Sequence, residues 1–513
     1  MKRRPGVFVL SVIGLLSGML VVGAYAFFQQ LEHGDVVTGM RSVGAGGGAV
    51  WGLYVVTDGF FLGLGCAIMA CACVARFSRD RNLEAVARIA MPVAITCFLG
   101  AALCVLADQG RPLAALCNLS LFARPQSPMF VTFSSVGAVC LFASLVHCVL
   151  SRRSDLAEYA KHPSAWQRLQ RLLAAGYRGS AAERYRRQKV GFWMSLLMLP
   201  ALLAPLTALA IIFTVRPARP LVLTLLEVAT FILLSGAGGL GLLLGVAALV
   251  GRLAGHSAGL EIRGYARLGK ALLLTLSLSL PSLVAAQIAG LASDEPGVSA
   301  YARALLAEVY GPLFWSEVGF LFIAAALLWQ GAWRRKLSPR LTVGAGVLTV
   351  ASLFLHHYLL LVAWQTHGMS LPYQPGSYVP TWIEYAVVLG IVGLCLLLLL
   401  PSVRLIPFAP LVFETEPVKS MVADGRRSLV TLLWFSGGLV TAGLGLALSA
   451  RAGTEAFQDP ILTGSPVVFI VGLAILATTG AVYELWPERR GERASSDPST
   501  AAECRGRARE RSR

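Results

Sequence analysis

The sequence has few charged residues for its length, and this scarcity sets the class of protein. Only 14% of its 513 residues are Asp, Glu, Lys or Arg, whereas an average soluble domain has about 25%. The hydrophobic fraction is 56%, which also excludes a disordered chain because disorder needs low hydrophobicity. The composition therefore predicts a polytopic membrane protein.

The chain also lacks the signatures of most bound cofactors. None of its ten cysteines forms a C-x-x-C pair, and a thiol in an apolar helix usually packs as a small hydrophobic group. No Walker loop or H-E-x-x-H zinc motif occurs, and Gly236 to Gly241 is predicted as a close-packing helix face. His147 lies near the opposite membrane side from His356 and His357, so these cannot share a haem. We expect no metal site and no permanently bound cofactor, with a single-histidine haem as the open alternative.

Long apolar runs dominate what is present. Twelve segments approach the roughly 20 residues that cross a membrane as a helix, so the sequence predicts an all-α fold of about twelve transmembrane helices. We number these predicted spans 1 to 12; their approximate boundaries are 6–28, 48–75, 87–107, 127–151, 190–214, 221–251, 268–290, 309–332, 341–364, 380–403, 428–449 and 464–486.

The basic residues orient the predicted spans. With the N-terminus placed inside, 37 of the 44 Lys and Arg lie on the inner side and seven on the outer side. Such an excess marks the cytoplasmic side of a membrane protein, so both termini are predicted to be cytoplasmic. The net charge of +17 is thereby explained by orientation and membrane lipid, and no nucleic-acid partner is expected.

Two segments leave alternatives open. Residues 1–33 are predicted as the first transmembrane helix, but Ala24-Tyr25-Ala26 after an apolar stretch also fits a secretory signal with its cleavage site. The inner connection 152–189 has ten Lys and Arg and four apolar residues at helical spacing, which are Trp166, Leu169, Leu172 and Leu173. An amphipathic helix on anionic lipid is favoured there over a docking site for a cytoplasmic subunit.

Ionisable residues within the spans are candidates for function, because charge at depth in a membrane is costly. Asp58 lies about ten residues from the outer end of span 2, which at ~1.5 Å per residue places it in the outer third. The same depth is predicted for an outer polar layer of five more residues, namely Glu227, Glu317, His356, His357 and Glu384. The inner halves have mainly hydroxyls, so we expect a protonatable layer on one side only.

Trp51, Tyr54 and Asp58 recur at i, i+3 and i+7, which predicts one helix face. Such an aromatic stripe more often serves packing than binding. A carboxyl buried in lipid, however, is neutral unless paired and is suited to proton exchange. Oxidation of a quinol releases two protons with two electrons and needs a general base. The pattern therefore predicts a quinone-binding site of Trp51, Tyr54 and Asp58, with Asp58 as the catalytic base.

Several motifs resemble the NrfD and polysulfide reductase (PsrC-like) membrane-subunit family. In chain order they are Trp51-Gly52-Leu53-Tyr54 with Asp58, Asp108-Gln109-Gly110-Arg111-Pro112, Ser127-Pro128-Met129, Arg219-Pro220 with Ser235-Gly236, Phe314-Trp315-Ser316-Glu317, and Tyr378-Val379-Pro380-Thr381-Trp382-Ile383-Glu384. They cover about residues 34–408 and are most similar to the ten-helix branch of HybB-like hydrogenase subunits and alternative complex III. Three features depart from that pattern: Gln109, His356-His357-Tyr358, and the additional spans 11 and 12.

The resemblance implies two four-helix bundles with flanking helices. The corresponding regions are 34–215 for the first bundle, 216–365 for the second, 366–427 for the tenth helix and its loop, 428–488 for an extra hairpin, and 489–513 for a disordered basic tail. It also implies an exchangeable quinone or quinol near the outer surface of the first bundle. A ferredoxin-like iron–sulfur subunit is expected to dock there, beside Asp108 and Arg111, together with a catalytic molybdenum, hydrogenase or cytochrome subunit.

The expected function is that of a quinone-interacting subunit of a respiratory oxidoreductase in a prokaryotic plasma membrane. A structural anchor without chemistry of its own is the first alternative. A secondary transporter is disfavoured, because the two halves show no internal similarity and no pair of broken helices at midplane.

Overall fold

The protein is described here by a computed structural model, and within the described residues the chain is helical with no strand. The described residues are 7–40, 48–77, 81–110, 112, 114, 136–214, 221–254, 262–334, 337–367 and 376–405. The helices are α1 (Val7–His33), α2 (Leu53–Phe77), α3 (Arg81–Asp108), α4 (Ser144–Tyr159), α5 (Gln167–Ala174), α6 (Ala181–Thr214), α7 (Leu221–Ala254), α8 (Ile262–Leu291), α9 (Pro296–Leu306), α10 (Gly311–Trp333), α11 (Pro339–Tyr358) and α12 (Trp382–Leu405). A π-helical segment, Leu359–Ala363, and a last α-helical turn, Trp364–His367, continue α11.

Nine helices in these ranges are long and apolar enough to cross a membrane, namely α1, α2, α3, α6, α7, α8, α10, α11 with its continuation, and α12. They coincide with predicted spans 1 to 3 and 5 to 10, which confirms the all-α, polytopic class. Span 4 is described only from residue 136, where the π-helical segment Val136–Ala143 leads into α4. Spans 11 and 12 and the tail lie outside the described residues, so the count of twelve and the cytoplasmic termini stay predictions.

The helices pack as two groups of four with a flanking pair. In the first group α2 packs along α3 and α6, and α4 contacts both α3 and α6. In the second group α7 packs against α8 and α11, while α10 contacts the same two helices. The groups meet where α2 contacts α7, and α12 lies beside α3 with α1 packed along it. These contacts correspond to two four-helix bundles with flanking helices, and the exact domain boundaries stay a prediction.

Glycines bring two helix pairs into backbone contact. A Cβ added to Gly241 of α7 would lie 2.5 Å from the carbonyl oxygen of Gly346 in α11. One added to Gly23 of α1 would lie 2.6 Å from the Cα of Gly390 in α12. Small residues at such crossings let apolar helices associate in a membrane through close packing. The interpretation of Gly236 to Gly241 as a packing face thus agrees with the contacts of its last member.

Helices occupy much of the predicted inner connection 152–189. On one side α5 buries Gln170 and Ala174, and the Arg153 guanidinium donates to the carbonyls of Ala174 and Ala175, both at 3.1 Å. On the other side Leu172 is 73% exposed, so a polar side chain faces the protein and an apolar one faces outward. This arrangement is typical of a helix at a lipid interface, and its contact with lipid stays a prediction.

Candidate functional site

Tyr54 lies in the first turn of α2 and is fully buried. Its hydroxyl donates to Oε1 of Gln30 in α1 at 2.7 Å. The Nε2 group of Gln30 donates in turn to the Ala107 carbonyl at 3.0 Å and to Oδ1 of Asp35 at 3.1 Å. Ala107 is in the last turn of α3, where helix carbonyls have no partner within the helix. One buried glutamine therefore holds the ends of α1, α2 and α3 together.

Asp58 follows one turn further along α2 and is 2% exposed. Its Oδ2 atom is buried and has no hydrogen-bond partner in the described part of the chain, where Asp58 also forms no salt bridge. It interacts electrostatically with Asp108 at the end of α3, and Asp108 interacts with Asp35. A buried carboxyl in such surroundings is suited to exchange a proton with a ligand.

Trp51 does not share the helix face of Tyr54 and Asp58, which corrects the predicted face of three. The helix begins at Leu53, so the backbone at Trp51 is not helical and the i, i+3 relation does not apply. Gln365 holds this segment, because its Oε1 accepts from the Trp51 N–H at 2.9 Å and its Nε2 donates to the Trp51 carbonyl at 3.0 Å. The indole packs against Phe213 of α6, with ring centroids 6.1 Å apart.

The second bundle has a separate polar group, near the end that is predicted to face outward. Nδ1 of His356 lies 3.0 Å from Oε1 of Glu317, and both side chains are buried. Nε2 of His356 is buried without a hydrogen-bond partner among the described residues. A small pocket lies beside this pair, and its lining includes Glu227, Gln287, Tyr301, Phe314, Glu317 and His356.

His357 faces away from that pocket and lies between the bundles. Its ring centroid is 4.7 Å from that of Phe231, and a Cβ added to Gly59 of α2 would lie 3.0 Å from its Cδ2. The predicted outer polar layer is therefore not one site: Glu227, Glu317 and His356 border one pocket, and His357 packs at the boundary.

Glu384, the remaining member of that layer, caps α12 and ties it to its neighbours. Its Oε2 accepts from the backbone N–H groups of Thr381 at 2.9 Å and Gly39 at 2.7 Å. Its Oε1 accepts from the Tyr378 hydroxyl at 2.5 Å, and that hydroxyl accepts from the Leu53 N–H at 2.7 Å. Burial and the hydrogen bond to Glu384 raise the pKa of Tyr378, which keeps it a donor. This geometry favours a structural role for Glu384.

The predicted partner-facing pair is described in part. Asp108 is half-buried at the end of α3, with Oδ1 lacking a hydrogen-bond partner among the described residues. Gly110 leaves room for Asp35, whose Oδ2 lies 2.6 Å from the position of a Cβ there. Arg111 lies outside the described residues, so the contact of this segment with a partner stays a prediction.

Sequence reasoning missed the residues that hold the site together. Gln30, Asp35 and Gln365 lie at or beyond helix ends, where a polar residue is ordinary at a membrane interface. No spacing rule distinguishes them from solvated residues. Tyr378 belongs to the motif that ends in Glu384, but only the structure shows that its hydroxyl links Glu384 to the Leu53 N–H at the start of α2.

Comparison with known proteins adds two findings. The sequence profile of the family described as "Polysulphide reductase, NrfD" matches residues 41–368, a range that includes both bundles. A protein of Halobacterium salinarum that is described as a membrane subunit of a dimethyl sulfoxide reductase is 28% identical over 436 residues. This similarity covers 80% of the present chain and 94% of that protein.

Proposed function

The chain belongs to the polysulphide reductase NrfD family, and from this premise we propose that it is the membrane subunit of a respiratory reductase complex. The family resemblance expected from the short motifs is thereby confirmed. The description of the Halobacterium relative, a reductase membrane subunit, supports a complex in which a separate subunit reduces the terminal acceptor. Nine apolar helices in the described part of the chain make it the membrane-spanning subunit, and a prokaryotic plasma membrane is the proposed location.

We propose that the substrate is a quinol, bound at the outer end of the first bundle next to Tyr54 and Asp58. The observation that carries the proposal is the buried Oδ2 of Asp58, which has no hydrogen-bond partner or counter-ion within the described residues. Removing the quinol hydroxyl protons needs a base at such a position. The aromatic ring of Tyr54 supplies an apolar wall, and Trp51 borders the bundle boundary instead.

The proposed reaction balances in two steps. Each one-electron oxidation of the quinol moves one electron to an iron–sulfur cluster of the partner subunit and one hydroxyl proton to the Asp58 carboxylate. Between the steps Asp58 releases its proton towards Asp108 and the exposed Asp35, so two protons leave at the outer face. The quinol becomes a quinone and departs, and no permanently bound cofactor is required in this chain.

The proposed partners follow from this chemistry. A ferredoxin-like iron–sulfur subunit receives the electrons, and we place it over the outer end of α3, beside Asp108 and Arg111. A catalytic subunit, of which a molybdenum enzyme is one form, accepts the electrons from it. The basic inner surface around α5 contacts anionic lipid.

The test is purification of the complex through a tag on this chain, followed by anaerobic addition of a short-chain quinol. We expect an iron–sulfur subunit to co-purify and its clusters to be reduced by the quinol, as measured by electron paramagnetic resonance. Clusters that are present but not reduced by quinol would leave the chain as a structural anchor. Co-purification with no iron–sulfur subunit at all would contradict the proposed assembly.

A further inference from the structure

The orientation of the Gln30 side chain is fixed by its three hydrogen bonds. Its NH₂ group faces the Ala107 carbonyl at 3.0 Å and a carboxylate oxygen of Asp35 at 3.1 Å. A carbonyl can only accept a hydrogen bond, so turning the amide over would set two acceptors against each other. The amide oxygen must therefore face Tyr54, and the Tyr54 hydroxyl must donate to it. Gln30 is 2% exposed, so water does not replace these partners.

This arrangement fixes the polarity of Tyr54 towards a ligand. A phenol has a single hydrogen to donate and otherwise only lone pairs. Because that hydrogen already binds Gln30, the Tyr54 oxygen can only accept a hydrogen bond from a ligand. A quinol hydroxyl can donate to the Tyr54 oxygen, whereas a quinone carbonyl has no hydrogen to give and meets a lone pair of the phenol oxygen there.

We propose that Gln30 fixes Tyr54 as a hydrogen-bond acceptor, and that this polarity makes the site bind quinol in preference to quinone. The inference rests on the proposed function and extends it to the selectivity of the site for the reduced form of its ligand. The quinol enters, Asp58 takes its protons in turn, and the quinone is released because its carbonyl finds no donor at Tyr54. Gln30 acts as a positioning residue through Tyr54, and Tyr54 itself does not take up the proton.

The test compares the two redox forms of one ligand on the purified complex. The KM for a short-chain quinol and the inhibition constant of its quinone are measured anaerobically, and their ratio gives the preference. The wild type should prefer quinol by roughly tenfold, the ratio that one mismatched hydrogen bond produces. Gln30→Met keeps the side-chain length and frees the Tyr54 hydroxyl to donate to a quinone. It should bring the ratio close to one.

Two further variants separate polarity from packing. Gln30→Glu, protonated beside Asp35, still accepts from Tyr54 and should keep the wild-type ratio. Gln29→Met is a matched control on the preceding residue of α1 and should also leave it unchanged. An unchanged ratio in Gln30→Met, or an equal change in Gln30→Met and Gln30→Glu, would overturn the inference.

If Gln30→Met does not assemble, the preference ratio of the wild-type complex still tests the inference. A wild-type complex that oxidises quinol but binds quinone equally well or more tightly would overturn the inference and leave the proposed function intact. A complex whose clusters no quinol reduces would instead contradict the proposed function, and the selectivity with it.

Discussion

The two bundles each bury a carboxyl group, but the side chains around it differ. In the first bundle Asp58 has a buried oxygen without a hydrogen-bond partner among the described residues, and it lies near another acid, Asp108. In the second bundle Glu317 lies 3.0 Å from Nδ1 of His356. The imidazole of His356 therefore gives the second acid a hydrogen-bond partner, and no such side chain within the described ranges contacts Oδ2 of Asp58.

The two carboxyl groups are therefore expected to have different roles: proton exchange for Asp58, and pairing with His356 for Glu317. Placing an isolated charge in a membrane is costly, so a carboxyl like Asp58 changes its protonation when a ligand arrives or leaves. A paired carboxyl keeps its partner, and removing one member leaves the other buried and unsatisfied. We therefore expect substitutions in the first bundle to affect turnover, and substitutions in the second bundle to affect stability.

The largest effect is expected for Asp58→Asn. The amide keeps the shape of the side chain but cannot accept a proton, and the loss of a general base lowers turnover by about a hundredfold or more. Quinol oxidation by the purified complex is the measurement. Glu32→Gln, an exposed acid at the outer end of α1, is the matched control and should behave as wild type. Wild-type turnover in Asp58→Asn would remove Asp58 from the reaction.

A smaller loss of turnover is expected for Asp108→Asn. The change removes one proposed acceptor on the way to the surface, while Asp35 and solvent stay available. Quinol oxidation should fall by a few fold, and cluster reduction in a single turnover should be less affected than steady-state turnover. A loss as large as that of Asp58→Asn would mean that Asp108, and not Asp58, is the base.

In the second bundle, Glu317→Gln should change turnover by less than threefold and reduce stability. The amide weakens the buried hydrogen bond to His356, at a cost of about 1–3 kcal/mol, which is measured as a lower unfolding temperature in detergent. His356→Gln should have a similar effect, since both changes break the same pair. A hundredfold loss of quinol oxidation in either variant would reverse the comparison between the bundles.

The smallest effect on activity is expected for Tyr378→Phe, which lies in neither bundle. It removes the donor to Glu384 and the acceptor of the Leu53 N–H, so about 1–3 kcal/mol of stability is lost. Turnover should stay near the wild-type value once the protein is folded. Thermal unfolding and quinol oxidation are measured on the same preparation. A pronounced change in KM without loss of stability would assign Glu384 and Tyr378 to ligand binding.

The sequence predicts the helices well, because a long apolar run is a local property. The depth of Asp58 and Glu317, inferred from the helical rise, stays a prediction. The contacts of these acids depend on which helices are neighbours, and that information is not local. Trp51 is an example of a wrong prediction: α2 begins only at Leu53, so Trp51 does not lie on the predicted helix face. The contacts of Gln30 were not expected for the same reason.

The central claim is that quinol binds in the first bundle and not in the pocket of the second. Photolabelling tests it most directly, with a photoreactive short-chain quinol on the intact complex and mass spectrometry of the labelled peptides. Excess unlabelled quinol serves as the competitor. The account predicts competed labelling within Leu53–Phe77, near Tyr54 and Asp58. Competed labelling confined to Gly311–Trp333 and Pro339–Tyr358, beside Glu317 and His356, would contradict it.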